Sequence, residues 1–165
     1  MGVTAAGKTT VGRLLASSMG WEFHDADDFH PESNKKKMHD GVPLTDDDRW
    51  PWLRALRARI EAHLRDGTGA VVACSALKAV YREVLAGGLP DVRFVHLTGD
   101  RRVLEARLAA RQGHFMNPAL LESQLETLEA PTDALNVDFA LPPDEQVTRI
   151  RRGLGLAPGV TSSRS

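Results

Sequence analysis

Gly2-Val3-Thr4-Ala5-Ala6-Gly7-Lys8-Thr9 matches the pattern G-x-x-x-x-G-K-[ST] without a mismatch. Its glycines permit backbone turns that point successive N–H groups inward. The helix that follows adds the positive end of its dipole, so the segment is suited to holding phosphates. In that arrangement Lys8 reaches the β and γ phosphates of a nucleotide and the Thr9 hydroxyl ligates Mg²⁺. The bland alternative is a glycine-rich turn opening an ordinary helix. Against it, Val11, Leu14 and Leu15 continue as an amphipathic helix where phosphate binding requires one. Thr10 is counted with Gly2 to Thr9 among the nucleotide-contacting residues, although its place makes it first a helix neighbour.

Outward from this loop, apolar runs of strand length alternate with longer amphipathic stretches, the pattern of an α/β fold on a parallel sheet. Strands are expected at Trp21 to His24, Ala70 to Ser75, Val92 to Thr98 and Asn136 to Leu141. Helices are expected at Lys8 to Met19, Arg49 to Arg65, Ala79 to Leu85, Arg101 to Arg111, Pro118 to Leu128 and Pro143 to Arg152. Asp48 and Asp100 read as N-caps, and Gly20 and Gly67 as helix stops. A phosphate loop of this kind hangs between a buried strand and a helix, yet only Met1 stands before Gly2. The expectation is a three-layer sandwich whose first, central strand is missing from the chain, through a start codon placed too late or a truncation. Residues 1–153 read as one domain and 154–165 as a disordered tail, its Ala157 to Ser165 rich in Pro, Gly, Ser and Thr.

The 165 residues are 42% hydrophobic and 26% charged, enough for one compact core. With 21 basic against 22 acidic side chains the net charge is −1, so no overall field draws the chain to nucleic acid or a membrane. The lone Cys74 and the lack of a charged-then-apolar leader point to a reducing cytoplasm. No His or Cys partners stand around Cys74 at metal-ligand spacing, so its surroundings carry no zinc signature.

The segment Phe23-His24-Asp25-Ala26-Asp27-Asp28-Phe29-His30 places carboxylates at the C-terminal end of a strand, the edge where ligands bind in open α/β sheets. Asp25 and Asp27 are two apart and in an extended chain point the same way, one toward the metal and one toward an acceptor hydroxyl. A kinase of small alcohols needs such a pair. The alternative is a turn of solvated charges; one helix and one strand between the pair and the loop favour adjacent strand ends.

Here the chain resembles the gluconokinases of the shikimate kinase-like P-loop group. The resemblance is carried by Asp25-Ala26-Asp27-Asp28-Phe29-His30-Pro31 with Asn34, Lys37 and Met38, by Gly41 to Arg49 with Pro51-Trp52-Leu53, by Cys74-Ser75-Ala76-Leu77-Lys78 with Tyr81-Arg82, by Arg107 to Phe115, and by Ser123 to Pro131. It spans nearly the whole chain from Gly2 to about Gly153 and implies ATP and D-gluconate as substrates, 6-phosphogluconate and ADP as products, and a homodimer.

Around that frame, Arg49 is the natural grip for a sugar acid, because a guanidinium fork meets a carboxylate in two parallel bonds. Asp46, Asp47 and Asp48 beside it also fit as helix-dipole partners. Ser75, Lys78 and Arg82 form a second polar grip at the sheet edge. Arg107 and Arg111, four apart, share a helix face leading into a lid-like Gln112-Gly113-His114-Phe115; with the resemblance they contact the nucleotide and Arg111 acts in catalysis, and without it they read as solvated arginines. His30, Asn34 and Gln124 are substrate contacts on the resemblance alone, with a structural histidine an equal reading of His30. The catalytic set is thus Lys8, Asp27 and Arg111, with Mg²⁺ on Thr9 and, through water, Asp25. The alternatives are a related kinase such as a shikimate kinase, or an impaired, truncated nucleotide-binding module.

Overall fold

The computed structural model describes residues 1–40, 42–110 and 118–156. Four short strands, β1 (Glu22–Asp25), β2 (Ala70–Ala73), β3 (Val95–Thr98) and β4 (Leu135–Asp138), alternate with helices α1 (Lys8–Met19), α2 (Glu32–His39), α3 (Asp46–Asp66), α4 (Ala79–Ala86), α5 (Arg101–Ala110), α6 (Pro118–Thr127) and α7 (Pro143–Gly153). A 3₁₀ turn, Ala26–Phe29, follows β1. β1 pairs in parallel with β2, and β3 with β4, as two separate ladders.

Between the ladders lie Met1 and Gly2. The Met1 ammonium donates to Val95 O at 2.5 Å, Leu97 N–H donates to Met1 O at 3.0 Å, and Gly2 N–H donates to Ser75 O at 3.3 Å. This short stub bridges the facing edge of β3 and the end of β2. A cavity of about 310 Å³ adjoins it, walled by Val71, Val72, Ala73, Phe94, Val95 and Leu97 among others. Burial depresses the Met1 amine to about 5, and an ammonium kept from its charge costs stability where the unfolded chain stays protonated. Stability therefore rises with pH from about 5 toward the ordinary amine value of 8.0. Fusing four β-branched residues ahead of Met1 is expected to raise Tm by roughly 5 °C or more and to flatten this pH dependence, because it pairs both facing strand edges and removes the buried amine. Thermal unfolding of both chains across pH checks it.

Helices cover both faces. One apolar cluster gathers Val11 and Leu15 of α1, Leu104 of α5, Leu121 of α6 and Val147 and Ile150 of α7 against Leu97 and Val137. The other joins Trp52, Leu53 and Leu56 of α3 to Tyr81 and Leu85 of α4 over Cys74 and Ala76. The result is the three-layer α/β arrangement expected. α1 can lie close on β1 because Gly12 has no Cβ: one built there would stand 2.8 Å from the Phe23 ring.

Some boundaries differ from expectation. The N-cap of α3 is Thr45, not Asp48. Asp48 is its capping-box partner, taking the Thr45 amide while Thr45 takes the Asp48 amide. Asp100 does cap, accepting from Arg102 N–H at 2.8 Å. α2 was unforeseen, since Glu-Ser-Asn-Lys-Lys-Lys-Met-His has no apolar period. It is held by polar bonds instead: Asn34 Nδ2 donates to Asp48 O at 2.7 Å and Lys37 pairs with Asp48 at 2.7 Å. Leu154 and Leu156 pack on the first cluster; residues 157–165 lie outside the described residues. Among the described residues no helix is long and apolar enough to cross a membrane.

Candidate active site

The phosphate loop takes the shape its residues require. Gly2 has φ +142°, and a Cβ there would meet Leu97 O at 2.8 Å. Ala5 is held at φ 60°, a strained choice for a residue with a side chain. Gly7 is the N-cap of α1 and offers no side chain to the first-turn amides, leaving that end of the helix suited to an anion. Lys8 Nζ donates to Val3 O at 2.9 Å, across its own loop.

Thr9 and Asp25 meet. Thr9 Oγ1 donates to Asp25 Oδ2 at 3.1 Å, while Asp25 Oδ1 accepts from Asp27 N–H at 3.3 Å. β1 ends on Asp25 and the 3₁₀ turn swings Asp27 around, its Ala26 carbonyl anchored by Trp52 Nε1 at 2.7 Å. Desolvation raises the Asp27 carboxyl above the ordinary aspartate range, Asp25 adds to the rise, and Lys8 opposes it. The loop, Asp25 and Asp27 are therefore gathered on the C-terminal edge of the sheet.

A second cluster joins the start of α3 to α4. Lys78 Nζ donates to both Asp46 oxygens, at 2.9 and 2.8 Å, the Tyr81 hydroxyl donates to Asp46 Oδ1, and Arg49 Nη1 lies 3.6 Å from the same oxygen. Hydrogen bonds from Lys78 and Tyr81 hold the Asp46 carboxyl low, and the bond to Asp46 raises Lys78. Asp46 and Tyr81 had no chemical role in the sequence reading. Asp46 looked like a dipole partner and Tyr81 was only quoted beside Arg82; a tyrosine one turn from a lysine at a strand edge was the available signal.

Other expected contacts are spent elsewhere. Arg82 is buried and donates from Nη1 to Ala76 O at 3.0 Å and Leu77 O at 3.1 Å, so it braces the loop after β2. Asn34, 2% exposed, is used on the Asp48 carbonyl. His30 stacks on Trp52 with centroids 4.3 Å apart and is pushed to about 4, first by burial and then by Arg49, which makes it a neutral structural histidine. Arg107 reaches the phosphate loop on its carbonyl side, donating to Ala5 O at 3.2 Å, Ala6 O at 3.4 Å and Phe139 O at 2.5 Å. Those bonds tie the loop to the end of β4. Gln124 also lands on the loop, its Oε1 accepting from Thr4 N–H at 2.6 Å. Ser75 bonds Gly2 through its carbonyl, and Thr10 is exposed on α1. Burial lifts the Cys74 thiol to about 11, leaving it inert. Arg111 and the lid segment Gln112 to Phe115 lie outside the described residues.

A family model described as shikimate kinase matches residues 4–135. A gluconokinase of Gluconobacter oxydans is 48% identical, covering 81% of this chain and 75% of that one. The thermoresistant gluconokinase of Escherichia coli is 44% identical over 86% and 83%. A crystal structure of a gluconokinase from Sinorhizobium meliloti superposes with TM-score 0.81 at 45% identity, covering 94% and 89%. The chain belongs to the gluconokinase family. In this member of the family the phosphate loop lies beside Asp25, and Arg49, Lys78 and Tyr81 gather on Asp46.

Proposed function

We propose that the chain transfers the γ-phosphoryl group of ATP to D-gluconate, giving 6-phospho-D-gluconate and ADP. The observation that carries the chemistry is the 3.1 Å bond from Thr9 to Asp25, which sets the acidic pair at the phosphate loop. The sugar acid is carried by the named relatives and by a basic cluster fit for a carboxylate.

Thr9 Oγ1 and Asp25 Oδ2 are hard oxygen donors, the class that suits Mg²⁺, and their place beside the loop fits an ion shared with phosphate oxygens. When bound, that ion neutralises charge on the transferring group. The inward amides of Gly2 to Thr9 and the start of α1 hold the phosphates, with Lys8 exchanging Val3 O for a phosphate oxygen. Asp27 takes the proton of the attacking 6-hydroxyl as the new O–P bond forms and the bond to the ADP oxygen breaks. Asp46 preorganises Arg49, Lys78 and Tyr81 for the gluconate carboxylate. Arg111 is assigned to charge stabilisation on the transferring group, with Ser75 and Gln124 as lesser contacts. The working context is the cytoplasm, in sugar-acid catabolism, as a homodimer without nucleic acid or membrane partners.

ADP release with D-gluconate and with shikimate, each with Mg-ATP, tests the assignment: turnover with gluconate alone is expected, and turnover with shikimate alone overturns it. In the same assay Arg49→Lys is expected to raise KM for gluconate about tenfold or more with KM for ATP unchanged, because an ammonium cannot make the forked pair.

A further inference from the structure

On the α3 side of β1, Glu22, His24 and His63 each bring one ligand-capable atom within 4.8 Å of the others. The Nε2 atoms of the two rings are 2.8 Å apart. Glu22 Oε1 stands 3.6 Å from His24 Nε2, and its Oε2 3.5 Å from His63 Nε2. Donors on a tetrahedral zinc with bonds of about 2.0–2.1 Å stand about 3.3 Å apart, so opening the rings by about half an ångström completes a three-donor face. Both imidazole side chains are 10% exposed and the carboxylate is 52% exposed, which leaves the Glu22 side open to water.

The proton inventory points the same way. Thr68 Oγ1 lies 2.8 Å from His63 Nδ1 and donates to His63 O at 3.5 Å. When the Thr68 hydroxyl turns to that carbonyl, its oxygen accepts from Nδ1–H, the tautomer that frees Nε2 for a ligand. Arg59 Nε donates to His24 Nε2 at 3.4 Å, making that nitrogen an acceptor. The 2.8 Å contact between the two Nε2 atoms is a hydrogen bond carried by one ring proton, and a cation bound between them beside the carboxylate takes that proton's place. Thr68 supplies the outer-shell bond that fixes the tautomer a ligating His63 needs. Arg59 Nη2 meanwhile holds Glu22 at 2.8 Å, and its side chain, 41% exposed, has room to swing into water.

We propose that Glu22, His24 and His63 form a binding site for a borderline divalent ion of the zinc class, distinct from the Thr9–Asp25 pair. Two imidazole nitrogens disfavour Mg²⁺, so the two sites separate ions by donor type. An ion here ties β1 to α3 one residue ahead of Asp25. The sequence hid the site because its two histidines stand thirty-nine positions apart and only the fold joins them.

The test uses the untagged full chain without nucleotide, titrated with Zn²⁺ by calorimetry and with Co²⁺ by its visible spectrum. One equivalent is expected to bind, with a tetrahedral cobalt spectrum. Glu22→Gln should weaken binding about tenfold or more, His63→Ala should abolish it, and Asp25→Asn should leave it unchanged. Arg59→Ala should tighten it, since the competing guanidinium is gone; a purely structural ion-pair cluster would not respond in that direction. Should His63→Ala fail to fold, Glu22→Gln and Arg59→Ala decide the matter, both altering exposed side chains. No zinc uptake by the parent chain, or equal affinity in Glu22→Gln and Arg59→Ala, overturns the proposal.

Discussion

Asp27→Asn is expected to lower kcat for gluconate phosphorylation by about 10³-fold, within the range for loss of a positioned general base, while KM for ATP stays within a factor of about two. The amide keeps the size of the carboxyl but cannot accept the substrate proton. The pH profile separates this from mere disturbance. Desolvation and Asp25 raise the Asp27 carboxyl, so as a base it is lost when pH falls through a value above the ordinary aspartate range, and the acid limb of kcat/KM lies correspondingly high. That limb should vanish from the residual activity of the Asn variant. Stability should move the opposite way to activity. An acid whose folded-state pKa is raised holds its proton more tightly folded than unfolded, so its ionisation above that window costs stability. Asp27→Asn should therefore unfold at the same or a higher temperature than the parent, and a fall in both Tm and kcat would count against a catalytic role.

The nucleotide half of the site was legible because its chemistry is contiguous. Gly2 to Thr9 is a local motif, and Asp25 and Asp27 sit at a strand end that the α/β pattern places beside it. The sugar-acid half was only partly legible. Arg49 and Lys78 were named for their charge, but the group that organises them, Asp46, looked like any acidic residue in a first helical turn, and only the folded contacts show Lys78 and Tyr81 converging on it. Arg82 and Asn34 were named as substrate contacts, and the fold sets both on backbone carbonyls. A guanidinium or a carboxamide satisfies buried carbonyls as readily as it binds a ligand, and sequence spacing does not say which way it turns. α2 escaped because periodicity detects apolar faces, whereas this helix is fixed by Asn34 and Lys37 on Asp48.

Lys8→Met is expected to reduce kcat/KM by about 10³-fold, the scale for removing a strong donor to the transferring phosphoryl group. The fold should persist, because the bond from this side chain to Val3 O lies within its own loop. Unfolding with and without Mg-ATP checks this. At 100 times its dissociation constant the nucleotide should stabilise the parent chain by about 2.7 kcal/mol, and the Met variant by much less. A parent chain that gains nothing from Mg-ATP would instead be the impaired module, and the kinase reading would fall with it. Lys8 has a second effect. Its charge opposes the rise in the Asp27 carboxyl, so removing it lets Asp27 rise further and shifts the acid limb of any remaining activity to higher pH. The two residues are coupled through that field and through the one phosphoryl transfer they serve. Lys8→Met with Asp27→Asn should consequently lose far less than the product of the two single losses; a multiplicative loss would mean that the carboxylate and the ammonium act on separate steps.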